Sequence, residues 1–319
     1  MKDIYDVIII GAGPAGLAAG IYAGRSRLAA LLIEKAQDGG QISMTDVIEN
    51  YPGQMPEGES GATLIARMTA QAEIFGVERA ADTIKEVRLG GDIKEVTGLR
   101  QTYKAKAVIL ATGAVHRPIG CKGEVAYRGR GVSYCATCDA GFFEDLDVYV
   151  VGGGDSAVQE ALYLTKFARN VTIIHRRDAL RAVGSLQERA FANKKIHFFW
   201  DSVVDEIGGE DVVQWMLVRN TKTGETRKVE ASKADGLFGV FGFVGLVPVT
   251  QLFEGQIKME NGYILTDEDM KTNVAGVWAT GDMRKKSLRQ VVTAAADGAI
   301  AAMQVDAYLT EKNHEVYSG

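Results

Sequence analysis

The chain has 319 residues, a formal net charge of −5 and 46% hydrophobic residues. This length suggests about two domains, the negative charge argues against a nucleic-acid-binding surface, and three cysteines are too few for a secreted disulfide scaffold. Glycine is in surplus, with 37 residues against 5 prolines, where average usage would give about 22 and about 16. A disordered chain would usually be rich in both, so the extra glycines indicate tight turns or close approach of the backbone to a ligand.

The first glycine-rich segment directly follows an apolar strand. Residues 4–10, IYDVIII, are typical of a buried parallel strand. The segment GAGPAG (11–16) then opens a helix, and a second apolar run over 28–33 ends at Glu34. Strand, glycine turn, helix, strand and acid form the pattern of a dinucleotide-binding unit, in which the helix N-terminus faces the pyrophosphate and the acid binds a ribose.

A cysteine pair lies in the middle of the chain. Cys135 and Cys138 form a C-x-x-C motif that Asp139 follows at once. In a chain without a disulfide framework this spacing favours a redox-active disulfide, and the adjacent acid can exchange protons with the sulfurs. A mixed zinc site that also uses His116 and Cys121 is the alternative. Otherwise we interpret Cys121 as a buried or idle thiol.

A second glycine unit repeats the first at an offset of 141 residues. Gly11 maps to Gly152, and the two strands map to DVYVV (147–151) and VTII (171–174). Two copies in one register are far more specific than a single motif, so the sequence predicts two dinucleotide sites. The residues of the second turn are Gly152, Gly154, Asp155, Ser156 and Ala157.

The two copies differ in the charge that follows the second strand. In place of Glu34 the second copy has His175, which Arg176 and Arg177 follow, with Arg181 further along. A carboxylate suits a free ribose diol, whereas guanidinium groups suit a 2′-phosphate. We therefore expect an adenine dinucleotide with a free ribose in the first site and NADPH in the second. A solvated basic face is the alternative for the arginines.

The chemistry of electron transfer suggests the identity of the first cofactor. Nicotinamide transfers a hydride, whereas a disulfide is reduced through sulfur nucleophiles. A flavin can accept a hydride and then form a thiol adduct, so it can mediate between the two. Two dinucleotide sites and one cysteine pair therefore imply FAD, NADPH and a disulfide substrate.

Two further strands, 108–114 and 277–282, are apolar and contain Thr-Gly at their ends. If both belong to the first nucleotide domain, the chain leaves that domain near Gly113 and returns near Pro248. We therefore predict an α/β fold of two Rossmann-like three-layer domains, the second inserted into the first. The predicted bounds are 1–116 and 248–319 for the FAD-binding domain, and 117–247 for the NADPH-binding domain with the disulfide.

From about residue 4 to about 309 the chain resembles the bacterial-type, low-molecular-weight thioredoxin reductases. The resemblance rests on GAGPAGLAA (11–19), GGQ (39–41), ENYPG (49–53), ATGA (111–114), GRGVSYCATCD (129–139), GGGDSA (152–157), HRRDALRA (175–182), TGD (280–282) and RQVVTAA (289–295). It implies a homodimer in which the inserted domain rotates, presenting NADPH and the disulfide to the flavin in turn.

The resemblance also assigns the cofactor contacts. FAD would contact Gly11, Gly13, Pro14, Ala15, Glu34, Gln41, Asn50, Thr112, Gly113, Asp282, Arg289 and Gln290. NADPH would contact Gly152, Gly154, Asp155, Ser156, His175, Arg176, Arg177 and Arg181.

The reaction that the resemblance implies is thioredoxin-disulfide reduction. Electrons would pass from NADPH through FAD to the cysteine pair and then to oxidised thioredoxin. Cys138 would be the sulfur that meets the flavin, Cys135 would attack the thioredoxin disulfide, and Asp139 would donate and accept protons.

Residues on both sides of the cysteine pair are predicted to dock thioredoxin: Arg130, Phe142 and Phe143. Adjacent phenylalanines are also typical of a core. The sequence departs from the family pattern at Ala140, where glycine usually follows the acid, and at GLVPVT (245–250), where a more polar segment is usual. The geometry of the turn beside the disulfide is therefore open.

Other functions share parts of this pattern. The reductase of a peroxiredoxin system usually prefers NADH, which the arginine cluster argues against. A ferredoxin- or flavin-driven relative would not need the intact GGGDSA and HRR segments, and ferredoxin–NADP reductases lack the C-x-x-C. Outside the enzymes, a nucleotide-sensing binding protein is the alternative.

The stretch from Val7 to Gly24 carries no charge, but its five glycines and Pro14 would make a poor membrane-spanning helix. Asp3 and Asp6 argue against the positively charged start of a signal peptide. We therefore expect a cytoplasmic protein without a membrane, nucleic-acid or metal partner.

Overall fold

The computed structural model describes residues 2–44, 48, 50–54 and 58–317. The chain folds into two compact units, Met1–Val115 with Val247–Gly319, and His116–Leu246. The chain passes from the first unit into the second after Val115 and returns after Leu246. Each of these boundaries lies one residue before the position that the sequence predicts. The cysteine pair and the second glycine turn both belong to the inserted unit.

Strands outnumber α-helices in the part of the chain that the structure describes. The strands are β1 (Tyr5–Ile10), β2 (Ala30–Glu34), β3 (Glu78–Ala81), β4 (Ile84–Arg88), β5 (Lys94–Gly98), β6 (Thr102–Leu110), β7 (Ala114–His116), β8 (Val132–Ser133), β9 (Asp147–Val151), β10 (Asn170–Ile174), β11 (Ile196–Phe199), β12 (Ser202–Gly208), β13 (Trp215–Asn220), β14 (Thr226–Glu230), β15 (Gly239–Gly242), β16 (Leu246–Pro248), β17 (Met259–Glu260), β18 (Tyr263–Ile264) and β19 (Val277–Ala279). The α-helices are α1 (Pro14–Arg25), α2 (Gly61–Ile74), α3 (Ala136–Asp139), α4 (Asp155–Leu164), α5 (Gly184–Ala192) and α6 (Val291–Tyr317). Short 3₁₀-helices span Gly40–Met44, Ala140–Phe143, Gln251–Phe253 and Gly281–Met283. Among the helices that the structure describes, none has the apolar length that a bilayer crossing requires.

The first unit is built on a seven-stranded sheet of order β3-β2-β1-β6-β5-β4, with β19 also paired to β6. Strands β1, β2, β6 and β19 are parallel, and Leu110 at the end of β6 pairs with both Ile10 and Ala279. The carboxyl ends of β1, β6 and β19 therefore meet at one edge of the sheet. This edge is where nucleotides bind in open α/β sheets.

Both faces of this sheet are buried. Along β1, Val7 and Ile9 face a core that includes residues of α1, α2 and α6, whereas Ile8 and Ile10 face the opposite core. Burial on two sides explains why β1 is apolar without interruption from Val7 to Ile10.

The inserted unit repeats this plan with a five-stranded sheet of order β11-β10-β9-β15-β8. All its pairings are parallel, and a three-stranded antiparallel sheet, β12-β13-β14, follows in the same unit. The α/β fold of two Rossmann-like domains, the second inserted into the first, is confirmed.

Helices α1 and α6 approach each other closely at Gly298. A Cβ atom at this position would overlap the carbonyl oxygen of Ala15. We expect Gly298→Ala to lower the free energy of unfolding by about 2 kcal/mol, because the two helices must move apart to admit the methyl group. Urea unfolding of the purified protein measures this.

The matched control is Gly184→Ala at the start of α5, where a Cβ atom meets nothing within 4 Å. It should leave stability unchanged or raise it by about 0.5 kcal/mol. Equal effects of the two substitutions would contradict close packing of α1 on α6.

Candidate active site

The turn after β1 brings backbone atoms together where a side chain would not fit. Gly11 has φ +108°, and a Cβ atom there would overlap the carbonyl oxygen of Ala111, the residue that follows β6. At Gly13, which precedes α1, a Cβ atom would meet only the carbonyl oxygen of Gly39, at 3.9 Å. Gly11 therefore serves packing, whereas Gly13 keeps the space before the helix N-terminus open for a ligand.

Glu34 lies beside this turn. Its Oε2 accepts the N–H of Ala12 at 2.9 Å, and its Oε1 accepts the N–H groups of Lys35 and Ala36 at 2.8 and 3.1 Å. A carboxylate has about four lone-pair sites, so these bonds orient the group and leave acceptor capacity for a ribose hydroxyl.

Asp282 follows β19 and is mostly buried. Its Oδ1 has no hydrogen-bond partner within the described residues, and burial raises the pKa of its carboxyl group. A buried polar atom without a partner marks a place where a ligand donor fits. Arg289 donates from Nε to the Asp282 carbonyl oxygen at 3.3 Å.

Asn50 and Gln290 are distant in sequence and adjacent in space. Asn50 donates from Nδ2 to Oε1 of Gln290 at 3.2 Å.

Thr112 donates from Oγ1 to the carbonyl oxygen of Val249 at 2.5 Å. Gln41 is exposed in the 3₁₀-helix Gly40–Met44, and its contact with a cofactor stays a prediction.

Asp297, a buried acid on α6, was not predicted from the sequence. Its carboxylate accepts the N–H of Gly281 at 3.0 Å, Nε of Arg284 at 2.8 Å and Nζ of Lys286 at 2.7 Å. Burial acts to raise its pKa, but the hydrogen bonds from Arg284 and Lys286 hold it below the ordinary value. Asp297 thus fixes the turn that carries Asp282. The detectable signal was one acid within the apolar run 291–302.

In the inserted unit the turn after β9 repeats the first turn. Gly152 has φ +149°, and a Cβ atom there would overlap the carbonyl oxygen of Phe243, the residue that follows β15. At Gly154, before α4, a Cβ atom would meet only Nη2 of Arg181, at 4.0 Å. The space before the N-terminus of α4 is therefore open, with a guanidinium group at its edge.

Two hydrogen bonds hold the basic loop against this turn. The Arg181 N–H donates to the carbonyl oxygen of Gly153 at 2.7 Å, and the Val183 N–H donates to Oδ1 of Asp155 at 2.7 Å. Arg176, Arg177 and Arg181 are exposed. Exposed guanidinium groups beside a helix N-terminus can bind a phosphate.

His175 is buried against Gly153 and does not add to this positive charge. Its side chain is 6% exposed, and its Nε2 has no hydrogen-bond partner among the residues that the structure describes. Burial and the charges of Arg181, Arg177 and Arg176 lower its pKa, so the ring is neutral at pH 7 and can face a nucleotide without charge.

Cys135 and Cys138 form a disulfide, with their Cα atoms 5.3 Å apart at the start and within α3. The disulfide occupies both thiols, which is incompatible with the mixed zinc site, and the described residues contain no group of three metal-ligating side chains. Burial and Glu124 raise the pKa of Cys121 to about 12, so this thiol is protonated and a poor nucleophile at pH 7.

The carboxyl group of Asp139 is held by a residue that the sequence did not predict, Ser133. Oγ of Ser133 lies 2.5 Å from Oδ2 of Asp139 and accepts the N–H of Cys135 at 3.1 Å. Ser133 is two positions before the first cysteine, and its residue type alone carries no signal for this contact.

The two phenylalanines after Asp139 face different environments. Phe143 is 5% exposed and packs edge-on against Phe241, with ring centroids 5.3 Å apart. The prediction that Phe143 docks a partner is therefore wrong for this structure, because its ring belongs to the core. Phe142 is 54% exposed. Ala140 is buried in a right-handed helical conformation that alanine adopts without strain.

Arg130 is exposed. Its Nη2 donates to the carbonyl oxygen of Ala126 at 2.6 Å, and its guanidinium carbon lies 5.8 Å from the ring centroid of Tyr127. The group is thus held at the surface of the inserted unit.

Residues 5–298 match the family described as pyridine nucleotide-disulphide oxidoreductase. The chain belongs to this family. Among pyridine nucleotide-disulphide oxidoreductases it is 54% identical to the thioredoxin reductase of Peptoclostridium acidaminophilum over 316 residues, covering 99% of this chain and 100% of that protein. It is 48% identical to the thioredoxin reductase of Bacillus subtilis over 312 residues, covering 97% and 96%.

A solved structure of the same family agrees with these sequence relatives. The crystal structure of thioredoxin reductase from Streptococcus pyogenes superimposes with a TM-score of 0.91 at 48% identity, covering 98% of this chain and 100% of that one. The resemblance stated from the sequence motifs is confirmed.

The Asp297 cluster generates a prediction about stability. Asp297→Asn should lower the free energy of unfolding at pH 7 by about 3 kcal/mol, because Arg284 and Lys286 lose a buried countercharge. The pKa of Asp297 is below its ordinary value of 3.8, so its contribution is complete above that pH and is lost as the pH falls through the folded-state pKa. Urea unfolding at a series of pH values should show the deficit shrinking below pH 3.8.

Glu311→Gln, at an exposed position of the same helix, is the control. It should change stability by less than about 0.5 kcal/mol. A deficit for Asp297→Asn that stays constant down to pH 2 would contradict the charge argument.

Proposed function

We propose that the chain is an NADPH-dependent thioredoxin-disulfide reductase that binds FAD in its first unit and NADPH in its inserted unit. The observation that carries the proposal is the Cys135–Cys138 disulfide beside Asp139, in one unit with a second dinucleotide-type turn. The relatives named thioredoxin reductase, which match over nearly the whole chain, support the choice of substrate.

The residues around the first turn fit FAD. Gly13 leaves space before the helix N-terminus that a pyrophosphate could take, Glu34 keeps acceptor capacity for a ribose, and Oδ1 of Asp282 is a buried acceptor without a partner among the described residues. When bound, FAD would accept a hydride from NADPH and pass two electrons to the disulfide. The proposed contacts are Gly11, Gly13, Pro14, Ala15, Glu34, Gln41, Asn50, Thr112, Gly113, Asp282, Arg289 and Gln290.

The basic loop of the inserted unit fits the 2′-phosphate of NADPH. Arg176 and Arg177 are exposed, and Arg181 is held beside Gly154 by its backbone bond to Gly153. The open space before α4 would take the pyrophosphate, while the neutral ring of His175 would lie beside the nucleotide. The remaining proposed contacts are Gly152, Asp155 and Ser156.

The chain's own residues perform the exchange with thioredoxin. Once the pair is reduced, the Cys135 thiolate attacks the thioredoxin disulfide, forming a mixed disulfide and releasing one thioredoxin sulfur, which takes a proton. Cys138 then attacks Cys135, reforming the protein disulfide and releasing the second thioredoxin sulfur, which also takes a proton. Asp139 donates and recovers protons at the sulfurs.

Domain rotation is part of the proposal. The NADPH residues and the disulfide belong to the same unit, His116–Leu246, and both must reach one flavin, so the unit would present them in turn. Docking of thioredoxin on Arg130 and the exposed Phe142, a homodimeric state and a cytoplasmic location stand as proposals alongside it.

Cys135→Ser should lower the turnover of thioredoxin by about a thousandfold or more, because it removes the attacking thiolate. NADPH should still reduce the bound flavin in this variant, which is measured as the loss of the yellow colour. Cys121→Ser is the control and should keep turnover within twofold of the wild type. Thioredoxin reduction by Cys135→Ser at the wild-type rate would overturn the assigned roles.

The double variant Arg176→Ala, Arg177→Ala should lower kcat/KM for NADPH by about a hundredfold, because two charge-assisted hydrogen bonds to the 2′-phosphate are lost. Steady-state assays with NADH, which lacks that phosphate, should show less than a threefold change.

Arg189→Ala in α5 removes another exposed arginine of the same unit and controls for a general loss of positive charge. Equal losses with NADPH and NADH would contradict the 2′-phosphate site.

A further inference from the structure

Ser133 ends β8 and is fixed by the sheet. It pairs with Phe241 of β15 and its side chain is 6% exposed. Three polar atoms of the redox segment surround its hydroxyl group. Oγ lies 2.5 Å from Oδ2 of Asp139, 3.1 Å from the N atom of Cys135 and 3.4 Å from the carbonyl oxygen of Cys135.

A hydroxyl group has one proton and two lone pairs, and this set of neighbours suits both protonation states of Asp139. With Asp139 ionised, the Ser133 hydroxyl donates to Oδ2 and accepts the Cys135 N–H. With a proton on Oδ2, that O–H donates to Ser133 Oγ, and the hydroxyl proton turns toward the carbonyl oxygen of Cys135. Both states are satisfied without moving a heavy atom.

We propose that Ser133 is a positioning residue for proton transfer at the disulfide, holding the Asp139 carboxyl group in place in both of its protonation states. The inference rests on the proposed function and adds a residue to its mechanism. When Asp139 gives its proton to a departing thiolate, the Ser133 hydroxyl turns to donate to the new carboxylate. When Asp139 recovers a proton from a thiol, the hydroxyl turns back, so Ser133 neither gains nor loses a proton.

A control variant must test whether another titratable group on a neighbouring element causes the pH dependence. Helix α3 packs against α4 and against the 3₁₀-helix Ala140–Phe143, and the 3₁₀-helix carries no ionisable side chain. On α4, Asp155 accepts the Val183 N–H, and Tyr163 packs on Phe167. Glu160 is largely buried, with a raised pKa caused by that burial.

Tyr134 and Glu124 are also ionisable and lie near Ser133. Tyr134, the next residue, donates its hydroxyl to Glu124. The paired strand β15 has no ionisable side chain, because it consists of Gly239, Val240, Phe241 and Gly242. Glu160→Gln therefore serves as the control for titration by a neighbouring carboxyl group.

The experiment compares wild type, Ser133→Ala, Ser133→Thr and Glu160→Gln as flavin-loaded full-length enzymes. Two quantities are followed against pH: kcat/KM for thioredoxin, and the rate at which iodoacetamide alkylates the reduced cysteine pair. The hydroxyl bonds the ionised carboxylate more strongly than the neutral acid, because that bond is charge-assisted, so its loss disfavours the ionised form of Asp139. We expect Ser133→Ala to lower kcat/KM about tenfold and to move the acidic limb of both profiles up by about one pH unit.

Ser133→Thr keeps the hydroxyl and should restore both quantities to within twofold and a few tenths of a pH unit of the wild type. Glu160→Gln should leave the acidic limb in place, and the rate of flavin reduction by NADPH should be the same in all four proteins. In an Asp139→Asn background, Ser133→Ala should have no further effect on kcat/KM, because the group that it positions is gone. If Ser133→Ala does not fold, Ser133→Gly removes the same hydroxyl.

An acidic limb that stays in place in Ser133→Ala, or that moves in Glu160→Gln instead, would overturn the inference. A wild-type enzyme that reduces no thioredoxin would overturn the proposed function alone, since the alkylation profile measures the role of Ser133 without thioredoxin.

Discussion

In both units a carbonyl oxygen lies where the Cβ of a larger residue would be. After β1 it is the oxygen of Ala111 against Gly11, and after β9 it is the oxygen of Phe243 against Gly152. In each case the carbonyl belongs to the residue that follows a neighbouring parallel strand. This close approach lets the chain turn from the strand directly into a helix whose N-terminus faces open space. Both proposed nucleotide sites depend on that contact.

The two copies also share a second contact, with different chemistry. Glu34 bonds the N–H of Ala12, whereas His175 packs its ring on Gly153, and these pairs are equivalent under the repeat. A residue at the carboxyl end of the second strand thus supports the glycine turn in both units. In the first unit this contact places a carboxylate where the proposed FAD would have its ribose. In the inserted unit this residue is a neutral ring, and the arginines that follow would supply the charge that distinguishes the two proposed cofactors.

Local patterns predicted much of this molecule. The glycine turns, their strands, the insertion of one domain in the other and the C-x-x-C disulfide are set by neighbours in sequence or by an internal repeat. Contacts between segments that are distant in sequence could not be predicted from these patterns. Asp297 is identified by its bonds to Gly281 and Lys286, and Ser133 by the turn of α3 that brings Asp139 back to it. Phe142 and Phe143 read alike, and only the packing of Phe143 on Phe241 separates a core ring from an exposed one.

The packing of α6 against α1 has a consequence for synthesis on the ribosome. The first unit needs β19 beside β6 and α6 against α1, and both come from the last part of the chain. The inserted unit is continuous in sequence and can complete its sheet before that part emerges. The disulfide-bearing unit can therefore fold first. The edge of β6 that pairs with β19 stays unpaired until β19 is synthesised, well over a hundred residues later.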